Sequence, residues 1–80
     1  MAYREEDRAR LRRQASKQAI ALAMQGRWRD VVVANKTLLE SFPDDIDACN
    51  RLGRAYMELG DYPLAKESYR KAIKLDPYNT

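Results

Sequence analysis

The chain has 80 residues and a formal net charge of +3; 45% of them are hydrophobic and 34% charged, with three glycines and three prolines. That composition excludes a disordered chain and points to a helical, soluble domain. A domain of this size buries only about 60–65% of the surface its unfolded chain exposes, so it sits near the lower limit of independent stability.

No apolar run approaches the roughly 20 residues of a membrane span, so no membrane association is expected. The chain is charged from Arg4 onward and shows no apolar signal region. The single cysteine, Cys49, has no internal partner for a disulfide, and the expected location is cytoplasmic. Residues 1–30 carry eight Arg/Lys against four Asp/Glu, whereas residues 31–80 carry seven against eight. The positive surplus therefore belongs to the N-terminal third.

In chain order, the first helix is expected to begin near Arg4. Glu5, Glu6 and Asp7 fall in its first turn, where negative charge suits the helix dipole. Leu11, Ala15, Ala19 and Leu22 form its inner stripe, and Gly26 closes it. The second helix runs from Trp28 to about Phe42. The β-branched run Val31, Val32 and Val33 lowers helix propensity, but Val31, Asn35, Leu38 and Phe42 keep the helical phase. Asp44 and Asp45 are cap candidates for a third helix starting at Ile46. Its inner face is Ile46, Cys49, Leu52, Gly53, Tyr56 and Leu59. Gly60 provides a left-handed stop. Asp61 caps the fourth helix and Pro63 lies in its first turn, where a missing N–H costs little. Leu64, Ala65, Tyr69, Ala72, Ile73 and Leu75 continue at helical spacing, and Asp76-Pro77 ends the run.

Sliding the chain against itself by 34 residues aligns Gly26 with Gly60, Pro43 with Pro77, Trp28 with Tyr62, Ala19 with Gly53 and Val31 with Ala65. Such a match at one offset marks a duplicated unit. The fold class is therefore all-α: four helices in two antiparallel hairpins, stacked as a short solenoid. One domain over residues 1–80 is expected, with a first repeat at about 12–45 and a second at about 46–79.

The second unit resembles the tetratricopeptide repeat family. Cys49, Leu52, Gly53, Tyr56, Gly60, Tyr62, Ala65, Tyr69, Ala72 and Pro77 fall where that family has its large residue, Leu-Gly, Tyr, Gly, Tyr, Ala, aromatic, Ala and Pro; only Cys49 departs. The first unit is more divergent, with Ala15, Gln18, Ala19, Leu22, Gly26, Trp28, Val31, Asn35, Leu38 and Pro43 in those places. The resemblance implies a protein-binding scaffold, not an enzyme, with no cofactor. It also implies that the small residues Ala19, Gly53 and Ala65 sit at close helix crossings.

In such repeats the first helices line a concave surface. That places Arg13, Lys17, Ile20, Met24, Asn50, Arg51, Arg54 and Met57 on a basic groove, with Asp47 beside it and Arg10 extending it upstream. Arginine holds carboxylates bidentately and methionine packs adaptably, so the expected partner is a protein or an acidic peptide. Some family members clamp the terminal carboxylate of chaperone tails with Lys and Asn in one repeat and Asn in the next. Here those places hold Ser16, Ile20 and Arg51, so no such clamp is expected.

The last helix offers Tyr69, Ala72, Ile73 and Leu75 with no following helix over that stripe, which points either to a self-association face and a homo-oligomer or to a piece of a longer protein. Cys49 and Trp28 occupy packing positions and are expected in the core. The arginines at 4, 8, 10, 12 and 13 suggest nucleic acid as an alternative ligand, but Glu5, Glu6 and Asp7 interleave with them and favour a solvated helix face. The chain has no histidine, no glycine-rich phosphate loop and no cluster of metal ligands. Catalytic and metal sites are therefore not expected.

Overall fold

The computed structural model describes residues 4–78. They form four helices: α1 (Glu5–Met24), α2 (Trp28–Ser41), α3 (Ile46–Leu59) and α4 (Tyr62–Leu75). Consecutive helices pack on one another, and α1 also touches α3. No strand occurs among the described residues, and none of the helices is long and apolar enough to cross a membrane.

Local chemistry explains where each helix begins and ends. The Asp45 carboxylate accepts the Ala48 N–H at 3.0 Å, and the Asp61 carboxylate accepts the Leu64 N–H at 3.4 Å. Each satisfies one of the donors left free at a helix start. Asp44, the other candidate cap, stays exposed. Gly26 and Gly60 adopt φ of +70° and +81°, the left-handed conformation that ends α1 and α3. The valine run is helical, because Val31 is fully buried and the packing of that face outweighs the propensity loss.

The duplication extends to the backbone hydrogen bonds. Arg27 N–H donates to Leu22 O at 3.1 Å, and Asp61 N–H donates to Tyr56 O at 2.8 Å, 34 residues later. The pairs Val31 N–H to Arg27 O and Ala65 N–H to Asp61 O, both 3.0 Å, repeat in the same way. So do Phe42 N–H to Leu38 O and Asp76 N–H to Ala72 O. Each hairpin is thus closed by the same bonds at equivalent positions.

The buried apolar set is Ala19, Val31, Leu38, Ala48, Cys49, Leu52, Ala55, Ala65 and Ala72. Small residues dominate it because the helices approach closely; a Cβ on Gly53 would stand 2.9 Å from carbons of the Tyr69 ring. Leu11, expected on the inner stripe of α1, is 42% exposed, because α1 is covered chiefly by α2.

Two polar groups join the units. Asp45, 3% exposed, takes the Arg12 Nε–H at 2.9 Å, tying α1 to the start of α3. Arg8 and Arg12 also lie over the Phe42 ring, at 5.0 and 5.5 Å from its centroid. In the interior, Asn35 donates through Nδ2 to Val31 O at 2.8 Å and accepts the Arg51 Nε–H at 3.0 Å. The amide thereby links α2 to α3 without leaving its own polar atoms unpaired.

Cys49 is fully buried, and burial pushes its thiol above the ordinary value, with nearby Lys71 partly opposing and Asp45 reinforcing the shift. Both the burial and the scarcity of thiolate protect it. In the folded protein at neutral pH it should react with a maleimide at least about 100-fold more slowly than in urea, since reaction requires local opening. Equal rates in the two solutions would show that the thiol is accessible.

Candidate functional site

A hollow of about 500 Å³ lies between α1 and α3. Ile20, Ala23 and Met24 of α1 form one wall, Arg51 and Arg54 of α3 form the other, and Trp28 lies at the start of α2. Helical spacing brings Ile20 and Met24 onto one face, one turn apart. Arg51 and Arg54 are likewise three residues apart on the facing side of α3.

The two arginines are held differently. Arg51 is half-buried and oriented by its bond to the Asn35 carbonyl. Its Nη2 is buried with no partner among the described protein groups. Arg54 is exposed and lies over the Trp28 ring at 5.3 Å from its centroid. Stacking on an aromatic face restrains a guanidinium while leaving its N–H groups free to bind. The hollow therefore combines two restrained cations with an aliphatic wall, an arrangement that accepts a carboxylate next to an apolar side chain.

Of the eight groove residues expected from the sequence, Ile20, Met24, Arg51 and Arg54 meet in this hollow. Arg13, Lys17, Asn50 and Met57 are exposed but do not line it. Arg10, the upstream extension, pairs with Asp7 at 3.2 Å. Trp28 corrects the expectation that it is simply core: it is half-buried and lines the hollow under Arg54. Ala23 is a further lining residue the sequence did not single out.

The expected self-association face is narrower than its four residues. Ala72 is 5% exposed, turned into the packing of α4 on α3, and cannot belong to a free surface. Tyr69 is half-buried, its ring against Gly53. Ile73, at 60%, and Leu75, at 38%, do stand open. Tyr62 and Leu64, which the sequence did not place on this face, are exposed apolar residues of the same helix. The N-terminal arginines are largely engaged within the chain: Arg8 donates to Ser41 O, Arg12 holds Asp45, and Arg10 holds Asp7. Among the described residues, no group of three or more His, Cys, Asp or Glu side chains is placed to hold a metal.

Residues 46–79 match the tetratricopeptide repeat family. An Hsp70-Hsp90 organizing protein from Triticum aestivum is 36% identical over 64 residues, which is 80% of this chain and 11% of that relative. The chain thus spans about a tenth of the length of the relative it matches. Residues 46–79 thus carry a tetratricopeptide repeat, a protein–protein interaction module, and the same hairpin, closed by the same backbone bonds, occurs 34 residues earlier.

Proposed function

We propose that the chain binds a short acidic segment of a partner protein in the concave hollow, with a carboxylate between Arg51 and Arg54 and an apolar side chain against Ile20 and Met24. The observation that carries this reading is the convergence of two restrained guanidinium groups and an aliphatic wall around one hollow. A cytoplasmic setting accords with it, supported by the lone, buried, unpaired cysteine. The name of the wheat relative speaks of that protein as organizing Hsp70 and Hsp90. Ser16, Ile20 and Arg51 argue against carrying a chaperone-tail carboxylate clamp over to this chain.

The chain's single tryptophan lies in the hollow, so its fluorescence reports occupancy. Titration with a peptide of alternating Glu and Leu should shift Trp28 emission. Arg54→Glu should weaken that binding at least about tenfold, the effect of removing a charge-assisted contact worth roughly 1.4 kcal/mol or more. Arg54 is exposed, so the substitution should leave helicity intact. Unchanged affinity in that variant would count against the groove.

Self-association is a second reading, favoured by the apolar side chains exposed on α4. Sedimentation showing a monomer across the accessible concentration range would remove it. Nucleic-acid binding through α1 is weakly supported, given the internal engagement of Arg8, Arg10 and Arg12; a retarded DNA or RNA band at low salt that fades with added salt would revive it.

A further inference from the structure

A second hollow, of about 750 Å³, lies between α2 and α4, with α3 as its floor. It opens on the other side of α3 from the first hollow. Leu52 and Tyr56 line this hollow and Arg51 and Arg54 line the other, and at 100° per residue the two pairs stand nearly opposite on the helix.

Its walls are built from the same repeat positions. Lys36 and Leu39 of α2 correspond, 34 residues on, to Arg70 and Ile73 of α4, and all four line the hollow. Lys71 and Lys74 add two more cations, and Glu67 is the one acidic lining residue. All four basic residues are exposed, and none takes part in an ion pair among the described residues. An apolar floor is therefore bordered by a cationic rim with a surplus of three charges. The whole stretch from residue 31 onward is nevertheless slightly acidic by count. Folding concentrates the positive charge here.

The backbone around the hollow restricts what can occupy it. The lining segments lie within α2, α3 and α4, where the backbone N–H and C=O groups are paired along each helix except for the carbonyls in the last turn of α4. Ser68 Oγ is turned to the Leu64 carbonyl at 3.0 Å. An extended peptide entering here finds neither a free sheet edge nor an amide side chain for its backbone. A helix satisfies its own backbone and offers side chains alone, which suits walls of lysine, arginine and leucine.

We propose that this hollow docks an acidic amphipathic helix of a partner protein, its apolar stripe on Leu39, Leu52 and Ile73 and its carboxylates against Lys36, Arg70, Lys71 and Lys74. This site is separate from the concave groove and stands or falls independently of it. The charge complementarity sets the partner's sign, and the salt-sensitive rim steers its approach.

The test uses the full 80-residue chain and a fluorescently labelled synthetic helix with leucines at i, i+3, i+4 and i+7 flanked by glutamates. A second probe has every glutamate replaced by glutamine. The acidic helix should bind, with affinity falling as salt rises, and the glutamine helix should bind at least about tenfold more weakly. The double variant Arg70→Glu/Lys74→Glu, whose circular dichroism should match the parent, should lose about tenfold or more in affinity. Methyl resonances of Leu39 and Ile73 should shift on binding, and those of Ile20 and Met24 should not. Equal binding of the two probes, shifts confined to Ile20 and Met24, or an unaffected Arg70→Glu/Lys74→Glu variant would each overturn the proposal. So would a chain that sediments with phosphatidylserine vesicles yet ignores the helix, or one whose own dimer protects Ile73.

Discussion

Asp45→Ala should destabilise the fold by about 2–3 kcal/mol and lower its melting temperature by about 10–20 °C. Two losses coincide at this side chain. The carboxylate caps α3 through the Ala48 N–H, a contact worth about 1 kcal/mol when alanine replaces it. The same carboxylate, 3% exposed, holds Arg12 at 2.9 Å. A hydrogen bond to a charged group contributes about 1.5–3 kcal/mol. Arg12 is 43% exposed and can turn to water, so about 1–2 kcal/mol is the better figure here. A chain of this size has a total stability of about 4–12 kcal/mol, and each kcal/mol moves the midpoint by about 4–8 °C. Asp45→Asn separates the two roles: asparagine caps as well as aspartate, so that variant should lose about half as much. Thermal melts within error of the parent for Asp45→Ala would show that the joint between α1 and α3 is idle.

Gly53→Leu should cost about 3 kcal/mol or more. The first carbon of any side chain at this position already falls 2.9 Å from the Tyr69 ring, and three further carbons must be placed in the crossing of α3 and α4. Gly53→Ala is the informative contrast. It gains about 0.8–1 kcal/mol of helix propensity against about 1–3 kcal/mol of crowding, for a net loss of about 0–2 kcal/mol. The first unit shows how an alanine is accommodated: Ala19 takes the equivalent place, and Asn35 replaces the ring of Tyr69 at the equivalent site. Combined with Tyr69→Ala, the Gly53→Ala change should turn stabilising, because the crowded atoms are gone. Urea titrations of the four proteins measure this coupling; additivity would mean that ring and glycine do not meet.

Much of the architecture was legible because its punctuation is local. Gly60, Asp61 and Pro63 act within their own turn, and so does the cap at Asp45. The 34-residue echo from Gly26 to Gly60 then fixed the hairpin order. The concave groove was half legible. Helical phase grouped Ile20, Met24, Arg51 and Arg54, which line one hollow, but phase alone could not say that Arg13, Lys17, Asn50 and Met57 would stand apart from it. Trp28 was read as packing because its repeat position is a packing position. Its visible face depends on Arg54 lying across it from another helix, which no local pattern encodes. Ala72 was misplaced for a related reason: it belongs to the apolar stripe of α4, but that stripe is wide enough to have a covered side and an open one. The cationic rim between α2 and α4 was hidden because Lys36 and Arg70 lie a full repeat apart, and of the acidic residues between them in the chain only Glu67 lines the hollow.

Five of the nine buried apolar positions are already alanine: Ala19, Ala48, Ala55, Ala65 and Ala72. Truncation mutagenesis is therefore blind to most of this interior, since nothing can be cut from those sites except a methyl group. A scan that replaces residues with alanine would report a molecule with few sensitive positions and understate how tightly its seams are fitted. Substitution upward, to valine or leucine, is the experiment that would find them.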